Sequence, residues 1–179
     1  MPAIDARVEP RERVVEASAA TIFAGGTLVL PGDTNYWLAC DPYRTNAVER
    51  IRQTKGRANG EPLLLLVPSA TEFLEYTAGN SLAVSAAKRF LPGPVTLIVR
   101  KPAFVGDHVT AGLSTLAIRV PQSDLTRAIL ERTGPLAAMR AGSREPACAD
   151  LVIENGAPPC EGESSIVDLT EPTLRVRSL

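Results

Sequence analysis

The chain has 179 residues, 45% of them hydrophobic, and a net formal charge of −1, which suits one globular domain with a sizeable core. Near-neutral charge excludes binding of nucleic acid by the overall field of the molecule, although a local basic groove stays open. Apolar runs such as Leu63 to Val67 are far too short to cross a bilayer, and Met1 to Arg13 mixes charges without an apolar run, so the reading is a cytoplasmic protein with no signal peptide.

In chain order, Glu9-Pro10 opens a helix that runs to about Ala24, where Gly25-Gly26 stops it. Thr27 to Leu30 is a short buried strand. Thr45 caps a helix from Asn46 to about Lys55, with Ala47, Val48 and Ile51 on one face. Leu63 to Val67 is a continuous apolar strand of the kind buried on both faces. Ser69 caps a short helix through Tyr76, and Asn80 or Ser81 caps another to Phe90, ended by Pro92-Gly93-Pro94. Val95 to Arg100 and Thr115 to Val120 are strands. Asp124 starts a helix that stops at Gly134, and short strands follow near Leu136, Val152, Ile166 and Leu174. No repeat or linker divides the chain, so 1–179 reads as a single α/β domain. Cys40, Cys148 and Cys160 are few and widely spaced, without metal-type pairing, and read as free thiols.

Two stretches carry chemistry. Pro31-Gly32-Asp33-Thr34-Asn35-Tyr36-Trp37 reads as a strand end and tight turn, and Lys55-Gly56-Arg57 as the basic end of a helix. Both positions can face one cleft. Such a cleft suits a small anion, because Arg offers a planar bidentate fork and Lys a compact mobile charge. Each residue also has a plainer reading. Lys55 and Arg57 complement a helix dipole; Arg119 is a surface ion-pair partner; Trp37 is core packing; Asp33 shapes the turn; Gly32 meets a need for positive φ. His108, the one histidine, sits in a polar stretch and is read as non-catalytic.

The ordered motifs resemble the YrdC-type threonylcarbamoyl-adenylate synthases over nearly the whole chain. The family's Pro-Thr-Asp-Thr-x-Tyr-Gly-Leu stands here as Pro31-Gly32-Asp33-Thr34-Asn35-Tyr36-Trp37-Leu38. Lys-x-Arg and Pro-Leu follow as Lys55, Arg57 and Pro62-Leu63. Leu91-Pro92-Gly93-Pro94-Val95-Thr96, Gly112-Leu113 with Ala117-Ile118-Arg119-Val120-Pro121, and Ser164-Ser165-Ile166-Val167-Asp168 complete the set. The departures are Gly32 for Thr, Trp37 for Gly, Glu61 before Pro-Leu, Arg140 and Gly142 in place of Ser-x-Asn, and Arg175 as the remnant of Arg-Pro-Gly.

The resemblance implies an open, twisted mixed sheet with flanking helices and a large concave basic cavity. It implies condensation of bicarbonate, ATP and an amino acid (threonine or a different amine) into a carbamoyl-adenylate with release of pyrophosphate, a nucleotidyl transfer that serves tRNA modification. The alternative is a non-catalytic relative that binds anions, nucleotides or RNA. By the same resemblance Lys55 and Arg57 face the nucleotide phosphates, and Arg119 takes the amino-acid carboxylate. Thr34 and Tyr36 offer hydroxyls to the small substrates, and Arg140, Ser164 and Arg175 fall to the nucleotide. Mg²⁺ accompanies ATP, and no protein metal site is expected. The attacking groups belong to the substrates, so catalysis is positioning plus electrostatics.

Overall fold

A computed structural model describes residues 2–54, 60–77, 80–142, 149–156, 165–171 and 175–178, the last span by its backbone. In chain order the elements are β1 (Ala3–Asp5), α1 (Arg11–Phe23), β2 (Thr27–Pro31), β3 (Tyr36–Cys40), α2 (Thr45–Thr54), β4 (Leu64–Leu66), α3 (Ala70–Glu75) and α4 (Ser81–Phe90). Then come β5 (Val95–Arg100), α5 (Asp107–Thr110), β6 (Thr115–Arg119), α6 (Asp124–Thr133), β7 (Leu136–Arg140), β8 (Leu151–Glu154), β9 (Ser165–Asp168) and β10 (Arg175–Ser178).

The helix boundaries follow local chemistry. The Ser69 hydroxyl accepts the Glu72 N–H at 3.1 Å, and Asn80 Oδ1 accepts the Leu82 N–H at 2.9 Å, so each occupies an otherwise orphaned donor. Gly134, at φ 81°, ends α6 in a conformation that side chains disfavour. Three elements go beyond the sequence reading. These are β1, the short α5, and β3, which forms a hairpin with β2 where only a strand end and turn were expected. Strand β10 begins at Arg175, and Leu174 lies outside the described residues.

The strands of the described residues join one mixed sheet, in the order β1-β8-β2-β3-β7-β4-β6-β5-β9-β10. The β1/β8, β2/β8, β4/β6 and β5/β9 pairs are parallel and the others antiparallel. Helices cover both faces, which explains why the central strands are nearly continuously apolar. On one face Val48 and Ile51 of α2, Phe73 of α3 and Ala83, Ala86 and Ala87 of α4 pack against Leu38, Leu65, Leu97 and Ile118. On the other, Val14 and Ile22 of α1 and Ile129 and Leu130 of α6 pack against Leu28, Leu30, Trp37, Leu66 and Ala138. No helix among the described residues is long and apolar enough to cross a membrane.

Candidate functional site

The β2–β3 hairpin is pinned to the first turn of α6 and to the segment that joins β6 to it. The Thr126 hydroxyl donates to the Pro31 carbonyl at 2.7 Å, and Asp33 Oδ1 accepts the Gln122 N–H at 2.9 Å. Asp33 and Thr34 are buried there, and Asn35 Nδ2 donates to Thr34 Oγ1 at 3.0 Å. Asp33 therefore does more than shape its own turn. It ties the hairpin to Gln122, 89 positions later in the chain.

Arg119 ends β6 and is only 1% exposed. Strand alternation puts it on the face opposite its neighbour Ile118, which is the face that carries Trp37. Its Nε and Nη2 both donate to Thr96 Oγ1, at 3.2 and 2.9 Å, and its guanidinium carbon lies 5.2 Å from the centre of the Trp37 ring. A cation against an indole face is attractive, and more so when both are dry. Burial holds the Arg119 pKa below its ordinary value, while the Asp33 carboxylate acts in the opposite sense. The surface ion-pair reading of Arg119 is thus replaced by a buried cation.

Three buried polar atoms in this cluster have no hydrogen-bond partner: Asp33 Oδ2, Trp37 Nε1 and Arg119 Nη1. Buried polar groups are normally paired, so each of these atoms, unpaired among the described residues, calls for a partner such as an ordered water or a ligand group. Gly32 also finds its reason here. Its φ is not positive. Instead, a Cβ at this position would stand 2.1 Å from Trp37 Nε1 and 2.4 Å from the Asn35 carbonyl oxygen, so the packed indole and the turn's own backbone together leave no room for a side chain.

Tyr36 points to the other face. Its hydroxyl accepts the Asn155 N–H at 3.0 Å and donates to the Gly156 carbonyl at 2.6 Å. That hydroxyl is therefore occupied by the turn after β8. Around it opens a cleft of about 490 Å³, lined by Arg7, Asn35, Tyr36, Gly142 and Glu154 among others; Arg119 is not on its wall. Arg140 stands at the exposed end of β7, in register with Trp37. Arg175 opens β10 opposite Asp168. Lys55, Arg57 and Ser164, and with them the expected meeting of Lys55 and Arg57 with Arg119, lie outside the described residues.

Elsewhere, a ring nitrogen of His108 meets the Pro42 carbonyl at 2.8 Å. Cys40 is buried, and its thiol is pushed up to about 12 by that burial, with Asp41 adding and Arg50 opposing. It behaves as a small apolar residue. Cys148 and Cys160 lie outside the described residues. Sequence reasoning missed Thr96 as the anchor of Arg119, although it stands in the quoted Pro-Gly-Pro-Val-Thr motif.

Comparison with known proteins agrees with the fold and the motifs. A threonylcarbamoyl-AMP synthase of Pyrococcus abyssi is 33% identical over 92% of this chain and 54% of its own length. The structure of P. abyssi Sua5 complexed with L-threonine superposes with a TM-score of 0.84 at 28% identity, covering 98% of this chain and 56% of that one. Escherichia coli YciO shares the fold, with a TM-score of 0.82 at 24% identity over 99% of this chain and 92% of that one. The chain spans about half the length of the first curated relatives it matches. The family model described as telomere recombination, Sua5/YciO/YrdC, matches residues 20–178, and the chain belongs to that family.

Proposed function

We propose that the chain joins an amino acid and bicarbonate to the adenylyl group of ATP, forming a carbamoyl-adenylate and pyrophosphate. The amine nitrogen attacks the bicarbonate carbon, a C–N bond forms, and water leaves to give a carbamate. A carbamate oxygen then attacks the α-phosphorus, and the bond to pyrophosphate breaks. The observation that carries this reading is the buried Arg119, anchored by Thr96 with one N–H edge unpaired, in a chain whose relatives are named threonylcarbamoyl-AMP synthases. Arg119 would hold the amino-acid carboxylate through that edge. Thr34 adds a hydroxyl beside the turn, and Tyr36 acts by holding the turn after β8.

In this reading Lys55 and Arg57 neutralise the phosphates, while Arg140, Ser164 and Arg175 complete the nucleotide site. Mg²⁺ enters bound to ATP, as part of the substrate. Among the described residues no group of three or more His, Cys, Asp and Glu is placed to hold a metal ion of the protein's own. The protein's share is charge neutralisation and alignment, which is how phosphoryl-type transfers are accelerated.

The test is pyrophosphate release by purified protein with ATP, bicarbonate and a panel of amino acids. Release that depends on both bicarbonate and an amino acid is the expected result, and its absence with every amino acid refutes the activity. Arg57→Ala should weaken ATP binding by about 1.5–3 kcal/mol, the usual loss for a hydrogen bond to a charged group. The near-complete burial of Arg119 favours one second reading, an anion-, nucleotide- or RNA-binding relative without turnover. ATP binding without pyrophosphate release would select it.

A further inference from the structure

Aromatic residues make up only 4% of the chain, yet three of them line one small cavity. The loop between β3 and α2 supplies Tyr43, the end of α3 supplies Tyr76, and the loop between β5 and α5 supplies Phe104. The Tyr76 and Phe104 rings meet at a centroid distance of 5.4 Å with 52° between their planes, so they form a corner rather than a stack. Tyr76 is buried, whereas Phe104 and Tyr43 are 59% and 66% exposed. A lone exposed ring is ordinary on a protein surface, but rings left in water around one cavity mark a surface that a ligand covers. The cavity holds about 160 Å³, small beside the usual pocket for a drug-sized ligand. It shares no lining residue with the cleft beside Tyr36, nor with the Asp33, Trp37 and Arg119 cluster.

The rest of the wall selects the class of ligand. Its carbonyls are in use. That of Pro42 meets a His108 ring nitrogen at 2.8 Å, that of Val105 accepts from Lys101 Nζ at 3.2 Å, and that of Gly106 accepts the Val109 N–H at 3.0 Å. The Val109 carbonyl takes the Leu63 N–H at 2.9 Å and Arg52 Nη2 at 3.3 Å. No Lys or Arg lines the cavity, so nothing there offers the charged grip that a phosphate or carboxylate needs. Around the wall the carboxylates of Glu72, Glu75 and Asp107 outnumber the cations Lys101 and Arg52, and Asp41 beside Tyr43 is paired with Arg44. Burial raises the Tyr76 pKa, and Tyr43, Glu72 and Glu75 push it the same way, so the ring stays neutral in acidic surroundings.

We propose that the pocket between Tyr43, Tyr76 and Phe104 binds a small alkylated ammonium ion, its methyl groups against the rings. A cation is attracted to an aromatic face, and a quaternary one needs no acceptor from a wall whose carbonyls are already used. A primary ammonium would give up hydrogen bonds to water and find few in return. The site is separate from the reaction proposed above and stands or falls without it.

The test titrates the full chain with choline and with its uncharged isostere dimethylbutanol, in which carbon replaces the quaternary nitrogen, and follows the methyl proton resonances by NMR. Aromatic faces shift protons above them upfield, so choline should show a saturable upfield shift of its N-methyl signal. Choline should bind about ten-fold more tightly than the isostere, because shape is shared and only the charge differs. Equal affinities would make the pocket merely apolar and overturn the proposal, as would the lack of a saturable shift with choline. Phe104→Leu and Tyr43→Leu, both at exposed positions, should each weaken choline by about five-fold while leaving the isostere within about two-fold. Phe104→Trp should keep or improve choline binding, since indole is the strongest of these rings toward a cation. Choline affinity unchanged in both leucine variants would put the cation elsewhere and refute the assignment. If Phe104→Leu folds poorly, Tyr43→Leu and Phe104→Trp still decide the matter.

Discussion

Gly32→Ala is the sharpest probe of the hairpin. The new Cβ would stand 2.1 Å from Trp37 Nε1, 2.5 Å from Trp37 Cδ1 and 2.4 Å from the Asn35 carbonyl oxygen. Heavy atoms in contact normally sit about 3.5–4.0 Å apart. Either the indole leaves Arg119 or the turn backbone shifts. Overpacking of this kind costs about 1–3 kcal/mol, and a clash with both a rigid ring and backbone puts this case near about 3 kcal/mol. Trp37→Ala on its own should cost about 3–5 kcal/mol by emptying a buried site. In the double variant two of the three contacts are gone and only the Asn35 oxygen remains. That remaining clash is with backbone, so the alanine should still cost about 2 kcal/mol there, a coupling of about 1 kcal/mol, within the range for residues in contact. Urea unfolding measures this, followed by far-ultraviolet circular dichroism because Trp37 is the sole tryptophan. With a slope of about 2–3 kcal/mol per molar urea, Gly32→Ala should lower the midpoint by about 1 M. Strictly additive costs would refute the claim that the indole helps to exclude a side chain at Gly32.

Tyr36→Phe should lower stability by about 1 kcal/mol, because its hydroxyl pairs with Asn155 N–H and the Gly156 carbonyl, and should leave the KM for the amino acid nearly unchanged; a large KM effect with unchanged stability would return that hydroxyl to the substrate. Asp150 carries a lowered pKa: burial alone would raise it, but the Thr27 N–H, donated at 2.7 Å, and the adjoining Arg50 outweigh that. A carboxylate whose folded pKa is depressed stabilises above its unfolded pKa, and that stability is lost as the pH falls through the folded value. Asp150→Asn should therefore be less stable than wild type at neutral pH, with the gap in melting temperature closing as the pH drops below the ordinary carboxylate range; a gap independent of pH refutes this. Cys40, its thiol held near pKa 12 by burial, should escape alkylation in the native protein and react once unfolded in urea, as peptide mass mapping would show.

Much of the secondary structure was legible in the residues because its causes are local. Ser69 and Asn80 announce helix starts through their own side chains, Gly134 announces a stop, and Leu64–Leu66 is apolar on both faces because helices cover both. The ordered motifs carried the family, and with it the sheet-and-helix plan. Strand β3 was hidden inside the motif read as a turn, since the short stretch Tyr36–Cys40 has no polar alternation to reveal it.

The site itself belongs to the tertiary structure. Successive side chains on a strand point to opposite faces, so neighbours Tyr36 and Trp37 part company, one toward the turn after β8 and the other toward Arg119. The sequence shows that alternation but not which face carries the chemistry. Nor can it show that Arg119 is dry, because its burial depends on Thr96 from β5 and Trp37 from β3, brought together only when β5–β6 and β2–β3 join one sheet. Gly32 is the clearest case: as a residue it suggests a positive φ, and only the folded hairpin, which brings the indole and the Asn35 carbonyl oxygen against its backbone, makes the missing side chain a requirement.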